Sequence, residues 1–175
     1  MRYTGAMTAP SRGVDWPRLI PMAVLAASVG ALAVAYIAEV VFGLEPCILC
    51  LYQRVPYAAT GILAILALGL PPRSGVRTAS VALGGAVFLA GAGIAVYHVG
   101  VEQHWWSGTA ACGGALPAEM TVEALSAQLA AGPPKPCDQV DWTLFGISFA
   151  GYNLMASLAL AAFSVAGAWR LVKAS

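Results

Sequence analysis

The sequence has few charged residues. Of its 175 residues only 10% are Asp, Glu, Lys or Arg, whereas 59% are hydrophobic. A soluble domain carries about 25% charged residues, so this chain cannot cover a water-facing surface. A formal net charge of +1 also excludes the basic field of a nucleic-acid-binding protein, and no run of like charges marks a disordered tail. The composition therefore indicates an integral membrane protein.

Four apolar stretches have the length of about 20 residues that a helix needs to cross a bilayer. The first is too long for a signal peptide and is not followed by a cleavage pattern of small residues. Abundant Gly and Ala in these stretches favour close helix packing. We expect an all-α integral membrane four-helix bundle over residues 19–171, after a tail at residues 1–18. The predicted helices are approximately Leu19 to Phe42, Tyr52 to Leu70, Ala79 to Val99 and Leu144 to Trp169.

The charges predict how the bundle is oriented. Seven of the nine Lys and Arg residues fall in the N-terminal tail, the link after the second helix and the C-terminal tail. The positive-inside rule then places both termini in the cytoplasm. All four cysteines lie on the other side, in loops at about residues 43–51 and 100–143. In the second loop, Thr121 to Leu129 is predicted to form a short amphipathic helix, which lies on the membrane surface or caps the bundle.

Cys47 and Cys50 are separated by two residues. A disulfide across so short a loop constrains the unfolded chain little, whereas this spacing suits thiol exchange and often lowers a thiol pKa. Pro46 predicts a helix start that puts Cys50 in the first turn, where the helix dipole favours a thiolate. Arg54 would lie on the same face and stabilise a thiolate or a developing oxyanion. The alternative is an interfacial arginine that reaches lipid phosphates.

Cys112 and Cys137 lie in the long loop and have two possible roles. They form either a static disulfide or a second redox pair that exchanges electrons with the first through mixed disulfides. No metal site is expected, because zinc sites usually combine two close Cys pairs and an oxidising compartment disfavours free thiolates. Covalent haem attachment is excluded because Leu51, and not a histidine, follows Cys50.

Several segments together resemble the disulfide bond formation protein B (DsbB) family. The segment at residues 46–54, PCILCLYQR, opens the second of four helices, and Cys112 and Cys137 lie in the second outer loop. Tyr97 and His98 end the third helix, and residues 142–153 open the fourth. The resemblance covers about Leu19 to Leu171.

The resemblance implies a quinone-dependent thiol:disulfide oxidoreductase in the bacterial inner membrane. Such an enzyme reoxidises a periplasmic thioredoxin-fold dithiol donor (DsbA-like) and passes the electrons to ubiquinone or menaquinone. Cys112 would be attacked by the donor, and Cys137 would then engage Cys47. Cys50 would be the thiolate that meets the quinone, and Arg54 would bind a quinone oxygen.

Other polar residues near the cysteines have alternative interpretations. His98 either hydrogen-bonds or protonates a quinone oxygen or is a packing residue. Glu39 is interpreted as a solvated acid at a helix end rather than a proton acceptor. Tyr57 and Tyr97 are interpreted as interfacial or packing residues, and no role is assigned to Gln53.

Three rival functions remain at this point. The first is a variant of the same family that serves one specialised donor. The second is a non-catalytic membrane protein whose two disulfides only stabilise its outer loops. The third is an enzyme similar to vitamin K epoxide reductase, in which the quinone-side cysteine pair would be expected near the end of the bundle rather than before the second helix.

Overall fold

Four long helices account for most of the residues that the structure describes. The computed structural model describes residues 15–112, 121–122, 126 and 135–174. All four helices are long and apolar enough to cross a membrane, which confirms the predicted all-α membrane bundle. The predicted tail lies mostly outside the described residues, as does the predicted helix from Thr121 to Leu129. The helices are α1 (Trp16–Val40), α2 (Ile48–Gly69), α3 (Gly75–Glu102) and α4 (Phe149–Ala174).

Small residues let α3 pack closely against its neighbours. α3 has its most extensive contacts with α4 and α2, while α1 packs mainly on α2. A Cβ atom at Gly85 would lie 3.2 Å from Val165 Cγ2, and one at Gly91 would lie 3.0 Å from Pro56 Cβ. The expected role of glycine in helix approach holds at these two positions. It does not hold at Gly93, which faces open space.

Arg77 links three helices by hydrogen bonds at the end of the bundle where α2 ends and α3 begins. Its side chain is buried, with 1% exposure, and its guanidinium donates to the backbone carbonyls of Pro17, Leu68 and Leu70. Two of these carbonyls belong to the last turn of α2 and its C-cap, where carbonyls lack helical partners and the helix dipole favours a cation. Because Pro17 lies in the first turn of α1, this single side chain joins three helices.

A short β-hairpin precedes the last helix. Strand β1 (Thr143–Leu144) pairs antiparallel with β2 (Ile147–Ser148). Phe145 and Gly146 connect them with φ angles of 50° and 77°, as a two-residue hairpin turn of the primed type requires. The fourth helix therefore begins at Phe149, and the predicted start at Leu144 was wrong.

Candidate functional site

The cysteine motif forms the N-terminus of α2. Cys47 is the N-cap, with an extended backbone, and its Sγ accepts the backbone N–H of Cys50 at 3.3 Å. This cap starts the helix at Ile48, earlier than the predicted Tyr52, and leaves Pro46 just before the cap. Cys50 lies in the first turn, as the sequence predicted.

The two sulfur atoms of the motif are close but not bonded. Cys47 and Cys50 are free thiols, and their Sγ atoms lie 3.0 Å apart, within hydrogen-bonding distance. His98 Nε2 lies 3.5 Å from the same Cys47 sulfur. The pKa of Cys47 is lowered to about 4. The largest cause is the hydrogen bond with the Cys50 thiol, followed by those with His98 and the Cys50 amide, while burial acts in the opposite direction. These contacts favour Cys47 over Cys50 as the ionised sulfur of the reduced pair, whereas the position of Cys50 in the first helical turn predicts a thiolate there.

The second cysteine pair is oxidised and lies beside the first. Cys112 and Cys137 form a disulfide with their Cα atoms 5.0 Å apart, and the Cys137 N–H donates to the Cys112 carbonyl at 3.3 Å. Cys112 is 4% exposed, Cys137 1% and Cys47 5%. These three cysteines share one buried cluster with Leu49 and Val101. The fold thus brings both cysteine pairs to one end of the bundle.

A cavity of about 460 Å³ adjoins the free thiols. Small and apolar residues of α1, including Gly30, Ala31 and Val34, form one wall, and Cys50, Arg54 and His98 also line it. Side chains just before and at the start of α4 complete the lining, among them Trp142 and Phe149. The cavity therefore combines a mostly apolar surface with polar groups next to the dithiol, as small-molecule binding sites generally do.

Arg54 is directed towards α1. Its Nη1 lies 2.6 Å from Glu39 Oε2, and its guanidinium lies 4.7 Å from the centre of the Tyr36 ring. Glu39 lies in the last turn of α1 and its side chain is partly exposed, in agreement with its interpretation as a solvated acid at a helix end. It is also the ion-pair partner of Arg54, because the packing of α1 on α2 brings the two side chains together.

His98 is buried and hydrogen-bonded on both ring nitrogens. Gln53 Nε2 lies 2.8 Å from Nδ1, and Nε2 faces Cys47 and, at 3.8 Å, a Glu102 carboxylate oxygen. His98 is therefore a buried, hydrogen-bonded side chain that contacts the dithiol, and its direct partner is Gln53, to which the sequence assigns no role.

The hydrogen bonds continue from Gln53 into the bundle. Asn153 Nδ2 donates to Gln53 Oε1 at 2.5 Å, and Tyr57 Oη donates to Asn153 Oδ1 at 2.6 Å. Tyr57 is buried and also contacts Ser157, so it is not an interfacial residue. The sequence did carry a signal for these residues: Gln53 and Tyr57, and likewise Asn153 and Ser157, are polar pairs spaced four residues apart in apolar helices.

Cys47, Cys50 and His98 are also close enough together to suggest metal ligation. Their ligand atoms lie within 4.8 Å of one another. With the Gln53 amide donating to Nδ1, however, the hydrogen of a neutral His98 ring resides on Nε2. The nitrogen that faces the sulfur is then a donor without a free lone pair, so this arrangement favours a hydrogen bond over a metal–imidazole bond.

Comparison with known proteins identifies the family of the chain. A family model described as "Disulfide bond formation protein DsbB" matches residues 17–167. The chain belongs to the DsbB family. Proteins named "Disulfide bond formation protein B" include one from Methylobacillus flagellatus, 32% identical over 79% of this chain and 85% of the relative. Another, from Xylella fastidiosa, is 34% identical over 75% and 78%. No solved structure gives a significant match.

Membership of the DsbB family makes this a multi-pass membrane protein of disulfide bond formation. The resemblance recognised from residues 46–54 and the two loop cysteines is confirmed. Disulfide chemistry is also what the site offers, because it holds one disulfide and one dithiol in a single buried cluster.

Proposed function

We propose that the protein is a quinone-dependent thiol:disulfide oxidoreductase that reoxidises a DsbA-like, thioredoxin-fold dithiol donor. Electrons pass from the donor to the Cys112–Cys137 pair, then to Cys47–Cys50 and finally to a membrane quinone. The observation that carries this proposal is the single buried cluster, which contains an oxidised and a reduced pair and adjoins a largely apolar cavity.

The first exchange oxidises the donor. A donor thiolate attacks Cys112 Sγ, the Cys112–Cys137 bond breaks and Cys137 leaves as a thiolate. The second donor thiolate then attacks the donor sulfur of the mixed disulfide and releases Cys112. The donor has lost two electrons and gained a disulfide, and the loop pair has become a dithiol.

The second exchange restores the loop disulfide. When Cys47 and Cys50 are joined as a disulfide, the Cys137 thiolate attacks Cys47 Sγ and Cys50 leaves as a thiolate. Cys112 then attacks Cys137 Sγ and releases Cys47. This step ends in the oxidation state that the structure shows, with Cys112–Cys137 joined and the other two sulfurs free.

Reoxidation of the Cys47–Cys50 pair, a thiolate and a thiol, releases two electrons and one proton, which a bound quinone would accept together with a second proton from solvent. The residues fit such a molecule, since the cavity is mostly apolar and carries Arg54 and His98 as candidate partners for its oxygens. Cys47 Sγ, held ionised 3.0 Å from Cys50 Sγ, is placed to close the disulfide when Cys50 is oxidised. Arg54 would have to share its guanidinium between Glu39 and the quinone.

We further propose a bacterial inner-membrane location with both termini in the cytoplasm and the cysteines in the periplasm. The alternation of four helices puts the start of α1, the α2–α3 link and the end of α4 at one end of the bundle. Seven of the nine cations belong to that end, and such a bias favours the cytoplasm. The periplasm is kept oxidising, which suits a disulfide relay.

The function is tested by quinone reduction with purified protein and a reduced thioredoxin-fold donor. We expect the wild type to turn over, whereas Cys50→Ser and Cys112→Ser stop. Donor oxidation in a single turnover should survive in Cys50→Ser and fail in Cys112→Ser. A wild-type Cys112–Cys137 disulfide that stays intact with excess reduced donor would contradict the relay and favour static disulfides.

The role of Arg54 needs a separate comparison. We expect Arg54→Gln to raise the KM for quinone by about tenfold or more, the loss of one charge-assisted hydrogen bond, while single-turnover donor oxidation keeps its rate. Arg73→Gln, a matched change at an exposed position at the other end of the bundle, should alter neither. Unchanged quinone kinetics in Arg54→Gln would refute its assignment to quinone binding.

A further inference from the structure

A buried chain of hydrogen bonds leads from the interior of the bundle to the dithiol. Tyr57 Oη donates to Asn153 Oδ1 at 2.6 Å, and Asn153 Nδ2 donates to Gln53 Oε1 at 2.5 Å. Gln53 Nε2 in turn lies 2.8 Å from His98 Nδ1. Three helices contribute to this chain, and every member donates towards His98.

This direction determines which nitrogen of His98 carries the hydrogen. A neutral imidazole has one N–H donor and one acceptor nitrogen. Since Gln53 donates to Nδ1, the hydrogen belongs on Nε2. That nitrogen faces acceptors: Cys47 Sγ at 3.5 Å and Glu102 Oε1 at 3.8 Å.

We propose that Gln53 is a positioning residue, which holds His98 as the neutral Nε2–H tautomer so that the ring donates to the Cys47 sulfur. Asn153 fixes the orientation of the Gln53 amide, because its Nδ2–H group occupies the Gln53 oxygen and leaves the Gln53 nitrogen for His98. The inference rests on the proposed function, in which Cys47 must be ionised when it closes the disulfide with Cys50.

An amide is needed at position 53 because an ionised carboxylate only accepts hydrogen bonds. A carboxylate beside Nδ1 would draw a hydrogen to that nitrogen. The His98 ring would then present a bare Nε2 lone pair to Cys47, or would carry both hydrogens as a cation. The other charged groups around the site are the Glu102 carboxylate, the Arg54–Glu39 ion pair and, elsewhere in the cavity lining, Glu45, Lys135 and Asp141. Among the described residues only Gln53 is recorded in contact with Nδ1.

The test observes the ring directly by nuclear magnetic resonance of protein with isotope-labelled histidine, kept in the reduced state near neutral pH. The chain has only two histidines. His104 is exposed and has a φ of 56°, a conformation that asparagine tolerates, so a His104→Asn background leaves His98 as the single signal. We expect His98 to show a bare Nδ1 and a protonated Nε2.

Two substitutions should move a hydrogen onto Nδ1. Gln53→Glu places an acceptor beside it. Asn153 does not contact His98, but Asn153→Asp removes the donor to Gln53 Oε1. The Gln53 amide should therefore flip and present its oxygen to His98 Nδ1. Gln103→Glu makes the same chemical change as Gln53→Glu at an exposed position after α3 and should leave the ring as in the wild type.

A protonated Nδ1 in the wild type would overturn the proposal. So would a bare Nδ1 in either Gln53→Glu or Asn153→Asp, because each removes the stated cause of the tautomer. The spectrum requires neither quinone nor donor, so it separates this inference from the relay. Wild-type protein with the expected tautomer but no quinone reduction would refute the proposed function, while the expected tautomers with normal turnover would support both.

Discussion

The acidity of Cys47 can be tested by removing its nearest donor. Cys50→Ala deletes the thiol that lies 3.0 Å from Cys47 Sγ and is the largest cause of its lowered pKa. A hydrogen bond to a charged group contributes about 1.5–3 kcal/mol, and 1.36 kcal/mol corresponds to one pKa unit. We therefore expect the Cys47 pKa to rise by about one to two units from its value of about 4.

The assay is the ultraviolet absorbance of the thiolate as a function of pH. With Cys112 and Cys137 joined, Cys50→Ala has one free thiol, so the titration belongs to Cys47 alone. Cys50→Ser is the control, because its hydroxyl is still a donor and its pKa should rise less. A wild-type pKa near the ordinary thiol value of about 8.5, or a Cys50→Ala pKa no higher than that of the wild type, would refute the assignment of the thiolate to Cys47.

The same shift has a consequence for stability. Because the pKa of Cys47 is lower in the folded protein than in the unfolded chain, its ionisation stabilises the fold fully above the unfolded pKa. This contribution is lost as the pH falls through the folded value of about 4.

Two further predictions concern packing. Arg77→Met leaves three backbone carbonyls without their donor and should lower the free energy of unfolding in detergent by about 3 kcal/mol. The control is Arg73→Met at an exposed position, which should change it by no more than about 0.5 kcal/mol. An equally small effect of Arg77→Met would contradict the stabilising role of the Arg77 hydrogen bonds. Gly100→Ala would put a Cβ atom 2.0 Å from Trp106 Cζ2, so the indole should move, changing Trp fluorescence and destabilising the fold by about 1–3 kcal/mol. Gly93→Ala, which faces open space, should do neither, and matching spectra for the two variants would disprove the contact.

The sequence was sufficient to predict the helices and the position of the thiols. Apolar stretches of membrane-spanning length identify the four helices, and the motif places Cys50 in the first turn of α2. The start of α4 was missed because the apolar side chains of Leu144, Ile147 and Phe149 are also compatible with a helix. Only the turn at Gly146, with its positive φ, interrupts the pattern.

The partners of the site residues were not predictable in the same way. A helix that is apolar on all sides has no contrast between a polar and an apolar face from which to deduce which side meets a neighbour. The pairings of Gln53 with His98 and of Arg54 with Glu39 depend on how the helices are rotated against one another. Both pairs are far apart in sequence, so only the folded structure could reveal them.

The backbone hydrogen bond between Cys137 and Cys112 bears on how quickly the loop pair could recover after reduction. The disulfide joins residues 25 positions apart, and closing such a loop from a free chain requires about 3.5 kcal/mol of conformational entropy. The hydrogen bond alone supplies about 1 kcal/mol, but both side chains are also buried in the shared cluster. In the proposed cycle the opened thiols would therefore remain neighbours at a high effective concentration, and the loop would not have to be closed again at every turnover.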